Sequence, residues 1–231
     1  MDFLHNFNFG SALIQLAVLF FSLSLHEASH AWTADRFGDY TARYLGRVTL
    51  NPIAHIDPIG TLLFPLLQFF TGLPLIGWAK PVPVNAAHLR RPQRDQIFIS
   101  LAGPGSNLAA AAAAFTALAA LKAVSPQANG LLLNMMVTMS VPPERSLLAP
   151  LAGLLFFALV INLALALFNM IPIPPLDGHW ILYGVLPYNA ARALERVSGF
   201  GIMVLYGMMF LGLFRFLFAP LWWVIGLLFR F

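Results

Sequence analysis

Cysteine is absent from the 231 residues, and charge is scarce. Without thiols there is neither a disulfide framework nor a thiolate zinc cage, which leaves His, Asp and Glu as the credible metal ligands. Charged residues make up 10% of the chain and hydrophobic ones 59%, with a mean hydropathy of +0.78. A soluble domain carries about a quarter charged and about half apolar residues. The chain is therefore an integral membrane protein. It also lacks any run of basic residues interleaved with aromatics, so no nucleic-acid partner is expected. The net charge of +4 resides in loops between apolar segments, where membrane topology accounts for it. No basic region precedes the first apolar segment, which reads as a retained span rather than a cleavable signal. Spans and short loops use up the sequence, so residues 1–231 read as one domain of an all-α polytopic membrane protein.

A helical span needs about 20 apolar residues. Segments 11–34, 96–121, 147–171 and 199–229 meet that requirement, and Arg215 and Pro220 suggest that the last is one span followed by a partial or interfacial helix. Segment 59–79 is uncharged and long enough, but Pro65, Gly72, Pro74 and Gly77 interrupt it. Arg36, Arg43 and Arg47 precede it, and Lys80, Arg90, Arg91 and Arg94 follow. Positive loops favour the cytoplasmic side. Both loops stay there only if 59–79 is a re-entrant or broken hairpin, with irregular backbone shielded by protein or lining a wet cavity. The N-terminus then lies outside, and the C-terminal end of the first helix lies near the cytoplasm.

That end carries His26-Glu27-Ala28-Ser29-His30. From Ser11 to Ala34 the only formal charge is Glu27, and an ionisable residue within a span is by default functional and partnered. Residues four apart project from one helical face, so His26 and His30 can share one zinc ion while Glu27 serves as general base. A catalytic zinc takes three protein ligands and keeps one open position. Between Arg145 and Arg192 the only formal charge is Asp177, after the proline-broken stretch 171–176. Those prolines and Gly178 can aim its carboxylate inward, although an aspartate beginning an interfacial helix would look the same. His179 and His55 are rival ligands.

The ordered motifs resemble those of the site-2 proteases, zinc-dependent intramembrane metalloproteases. After H-E-A-S-H come N-P-I-A-H-I-D-P from Asn51 to Pro58 and G-W-A-K-P-V-P-V-N from Gly77 to Asn85. A-G-P-G-S-N from Ala102 to Asn107 and L-D-G from Leu176 to Gly178 follow. The resemblance implies a three-helix catalytic core with His26, His30 and Asp177 as ligands of one zinc ion, and Glu27 as base. Many members have glycine where Ser29 stands, and glycine or another small residue where His179 stands, and no inserted PDZ module is present. The resemblance also suggests that Asn169 holds an extended substrate backbone, while satisfying carbonyls freed by Pro172 is an equal alternative. Asn107 reads as helix-packing glue. His55 and Asp57 read as groups orienting a ligand or as ordinary turn residues.

The expected function is intramembrane zinc endopeptidase activity, with Glu27 as general base on a zinc-activated water. The expected substrate is a transmembrane segment of another protein, locally unwound. Expected surroundings are a lipid bilayer, as a multi-pass protein of a cell membrane and, from the short cysteine-free chain, a prokaryotic cytoplasmic one. Two other classes share the ligands: a zinc transporter, and a non-catalytic protein that binds membrane segments. A single ligand cluster without an inverted repeat counts against transport, and an intact Glu27 counts against the inactive binder. Oligomeric state is not encoded in any motif.

Overall fold

The computed structural model describes residues 8–64, 66–67, 77–143 and 146–230. Helices dominate, and no strand occurs among the described residues. The principal helices are α1 (Phe9–Arg36), α2 (Pro92–Val124), α3 (Pro126–Thr138), α4 (Leu148–Asn169), α5 (Asp177–Val185), α6 (Tyr188–Arg196), α7 (Gly201–Phe210) and α8 (Ala219–Leu227). Three of them, α1, α2 and α4, are long and apolar enough to cross a membrane. The pair Asn189–Arg196 and Ser198–Phe210, bent by 41°, makes a fourth candidate if taken as one span. The chain is thus an all-α, multi-pass membrane protein.

The core spans fall where apolar content and missing charge place them. After residue 199 the apolar segment is divided. α7 ends at Phe210, Gly212 adopts a left-handed φ of 69°, and a single turn, Phe214–Leu217, precedes α8. α3 is a helix the composition did not reveal. Ser125 is its N-cap with Pro126 at the first position, where a missing N–H costs nothing.

Contacts divide the chain into two compact units. One contains residues up to Ser22, Asn107–Leu165 and residues from Phe214 onward. Within it, polar side chains tie three helices together. Asn107 Nδ2 donates to the Ser22 carbonyl at 3.2 Å and to Asn162 Oδ1 at 2.8 Å. Asn162 Nδ2 donates in turn to Ser22 Oγ at 2.8 Å and to the Ala158 carbonyl at 2.8 Å. All three side chains are buried. Interhelical amide and hydroxyl bonds are the polar glue of membrane bundles.

The second unit comprises Leu23–Ser106 and Ala166–Leu213. It holds the H-E-x-x-H end of α1, the first part of α2, the proline-broken turn and α5. The hairpin expected over 59–79 lies partly outside the described residues, but its two ends are visible. Pro58–Leu63 forms a wide π-helical turn capped by Asp57, whose side chain accepts from the Ile59 and Gly60 amides. The Trp78 N–H donates to the Gly60 carbonyl at 3.3 Å, and Thr61 Oγ donates to the Trp78 carbonyl at 2.8 Å. Gly60 is required here, since a Cβ would sit 2.5 Å from the Trp78 indole. The segment therefore begins and ends at one place.

Candidate metal centre

His26 and His30 lie one turn apart on α1 and are both buried. Their rings meet edge to face, 4.6 Å between centroids, with the two Nε2 atoms 3.0 Å apart. His30 is oriented from behind: Nδ1 lies 2.7 Å from the Ile99 carbonyl on α2. A carbonyl can only accept, so Nδ1 carries the proton and Nε2 keeps its lone pair toward His26. Metal-binding imidazoles are held by this kind of contact.

α2 also makes room for the rings. A Cβ on Gly103 would collide with His30 Nε2 and approach His26 Cε1 to 2.7 Å. The adjacent Pro104 lies inside the helix, where it has no N–H to offer the preceding turn. Small size at 103 is thus a property of the site, not only of helix packing.

The carboxylate arrives from the other end of the sequence. Asp177 is the first residue of α5, after the turn Met170–Leu176 that contains the cis Pro174–Pro175 bond. Gly178 lets this turn close, because a Cβ there would lie 2.5 Å from the Ile171 carbonyl oxygen. Gly201 does the same on the other side, where its Cβ would strike the Pro174 carbonyl. Asp177 Oδ2 then lies 3.1 Å from His26 Nε2, and Oδ1 lies 3.3 Å from His30 Nε2. One ligand atom from each of the three residues lies within 4.8 Å of the others.

Two imidazole nitrogens and one carboxylate oxygen form a donor set that suits zinc. Asp177 Oδ2 is buried without a hydrogen bond, so an acceptor has been withdrawn from water and left with capacity to spare. A cation among the three groups would satisfy it.

The remaining sequence candidates separate. Glu27 is half-buried and accepts a hydrogen bond at Oε2 from the Val82 N–H, at 3.1 Å. Asn169 ends α4 and is half-buried. His55 is 2% exposed; its Nε2 lies 2.8 Å from the Thr49 carbonyl and its Nδ1 lies 3.4 Å from Arg47 Nη2. Asp57 caps the turn at Pro58. His179 is buried, outside the three-residue cluster, with Nδ1 lacking a hydrogen bond. The Ser29 hydroxyl is satisfied within α1 by the Leu25 carbonyl at 2.7 Å, so this departure from a small residue is locally harmless. Gly103, Ile99, Val82 and Arg47 were not legible as site residues. Only the small-residue stretch around Pro104 hinted at the first of them.

The profile of peptidase family M50, the site-2 proteases, matches residues 14–213. The chain belongs to this family. Among curated relatives, it is 35% identical over 188 residues to a Bacillus subtilis protein named "Putative zinc metalloprotease YwhC", covering 80% of this chain and 75% of the relative. It is also 31% identical over 198 residues to "Putative zinc metalloprotease Rip2" of Mycolicibacterium smegmatis, covering 84% of this chain and 66% of that relative. The Mycobacterium tuberculosis protein of the same name is 32% identical over 197 residues. No solved structure matches significantly. Family and relatives together make this M50 chain a zinc metalloprotease of the membrane.

Proposed function

We propose that this M50 protein is an intramembrane endopeptidase that cuts peptide bonds in or near transmembrane segments of other proteins, in a prokaryotic cytoplasmic membrane. The observation that carries the reading is the convergence of His26, His30 and Asp177 beside Glu27, on helices apolar enough to span.

In this reading His26 Nε2, His30 Nε2 and an Asp177 oxygen hold the metal. When bound, zinc supplies Lewis acidity that brings the pKa of water toward about 7 and polarises the scissile carbonyl. Glu27 accepts the proton of the attacking water and passes it to the leaving amide nitrogen. The Ile99 carbonyl keeps the His30 lone pair directed at the site. Substrate must arrive unwound, since a helical peptide carbonyl already accepts a hydrogen bond.

The test is co-reconstitution with a single-span reporter protein. Glu27→Gln is expected to keep one zinc per chain and to lower turnover by at least about 100-fold, the lower end of the range for losing a general base. Continued turnover would remove Glu27 from the chemistry. Zinc uptake into sealed vesicles without any cleavage would replace the protease by a transporter.

A further inference from the structure

Lys80–Asn85 runs without regular secondary structure past the site, and its backbone is engaged at Lys80, Val82 and Asn85. The Lys80 N–H donates to the His55 carbonyl at 2.9 Å, and the Lys80 carbonyl accepts from Arg47 Nη2 at 2.5 Å. The Val82 N–H donates to Glu27 Oε2 at 3.1 Å. The Asn85 N–H donates to Asp39 Oδ2 at 2.6 Å. Pro81 and Pro83 have no N–H. Val82 is thus the sole backbone donor from Pro81 to Pro83, and its N–H is directed at the carboxylate beside the metal ligands.

The arrangement is stiff. Each proline fixes its own φ and biases the residue before it toward extended backbone, which narrows the directions open to the Val82 amide. The anchor is stiff as well. Arg47 follows Gly46, which takes a left-handed φ of 66°, and its own N–H closes onto the Ala42 carbonyl at 2.8 Å. Its side chain is only 6% exposed and its Nε has no partner. A long cationic side chain has been buried to grip one main-chain carbonyl two residues from Val82. Glutamate has three rotatable side-chain bonds, and a general base must lie within hydrogen-bond reach of its proton. A fixed donor on Oε2 confines that rotation and leaves Oε1 outside the contact.

We propose that the backbone N–H of Val82, anchored by Arg47 through the Lys80 carbonyl, positions Glu27 for proton transfer during peptide hydrolysis. This rests on the reading of Glu27 as general base. Val82 is a positioning residue, and it acts through its amide rather than its side chain.

A proline at this position deletes that donor. Val82 lies between two prolines; Val82→Pro removes the N–H and puts a ring Cδ in its place against Oε2, while Val82→Ala retains the N–H. Both variants lose the valine side chain, and the comparison between them reads the loss of the contact at Oε2. Full-length protein with bound zinc would be assayed on the single-span reporter. In kcat, Val82→Pro is expected to fall about 10- to 100-fold below Val82→Ala, the usual range for losing a group that orients a catalytic one. KM and zinc content should match between the two. Equal kcat in the two variants, a rise in Val82→Pro, or loss of zinc from Val82→Pro alone would overturn the proposal. The rise would identify the contact as a blockade of Glu27.

A second readout needs no turnover. In ¹⁵N-valine-labelled protein the Val82 amide, assigned by its absence from Val82→Ala, should exchange with solvent slowly, and faster in Glu27→Ala. Equal exchange in the two would overturn the contact itself. If Glu27→Gln still turns over substrate, the reading of Glu27 as general base fails, and this inference with it. If only the Val82→Pro comparison fails, that reading stands and this inference falls.

Discussion

At the scale of single residues, the site is made as much by what is missing as by its ligands. His26, His30, Glu27 and Asp177 stand out because each is a polar group in a long apolar context. The open volume at Gly103 gives no such signal. Gly103→Ala is expected to push the His30 ring off its place and lower zinc per chain well below one, measured by metal analysis of the detergent-purified protein. Zinc at the parent level would show that the rings can yield. Asp177→Ala should also release zinc, since two imidazoles remain where a catalytic site takes three protein ligands. His179→Ala should leave zinc in place, because His179 lies outside the cluster. Retention in Asp177→Ala with loss in His179→Ala would reverse the assignment.

At the scale of elements, long apolar runs with little charge overlap α1, α2 and α4, whose ends lie up to four residues from those read in the sequence. Shorter elements depended on backbone details that composition does not carry. The left-handed Gly212 divides the final apolar segment, and α3 begins from a Ser-Pro pair within a polar-looking stretch. The turn before α5 closes only because Gly178 and Gly201 leave space for carbonyls, a constraint that links residues 23 positions apart. Asn107 read as packing glue, and it is; its partners Ser22 and Asn162 were not legible, because the pairing is set by tertiary contact. Asn162→Ala strips partners from buried Asn107 and Ser22 groups. It is expected to cost about 1–2 kcal/mol, read from the midpoint of unfolding in a denaturing detergent. An unchanged midpoint would mean that the remaining amide and hydroxyl pair satisfactorily without it.

At the scale of the whole molecule, the acidic residues outside the spans add a pH dependence. Asp39 is fully buried just beyond α1. Burial works to raise its pKa, but the Thr41 hydroxyl, the Asn85 and Thr41 amides and His88 outweigh it and hold the carboxyl below the ordinary range. A depressed carboxylate pKa stabilises the fold above its unfolded value, about 3.9, and that stability fades as the pH falls through the folded one. The thermal midpoint of the purified protein should therefore drop on acidification below pH 4, and Asp39→Asn should flatten the slope while lowering the midpoint at neutral pH. A parallel slope in the variant would assign the acid sensitivity to other groups.

The Ile99 carbonyl and Gly103 touch the same imidazole, one from behind and one across its face. An ion gripped by His30 therefore pulls on α2 as well as on α1. Binding and helix association become two readings of one free energy, since whatever favours the loaded state favours the paired one by an equal amount. At a free zinc concentration of about 1,000 times Kd the whole stabilisation by the ion is roughly 4 kcal/mol, and the coupling to α2 is the part of it that the paired helices add. Chelation would loosen these two helices, and a lipid mixture that squeezes them together would raise the affinity for the ion. The surrounding bilayer would thereby be an effector of metal occupancy, read as a shift in zinc affinity between lipid mixtures.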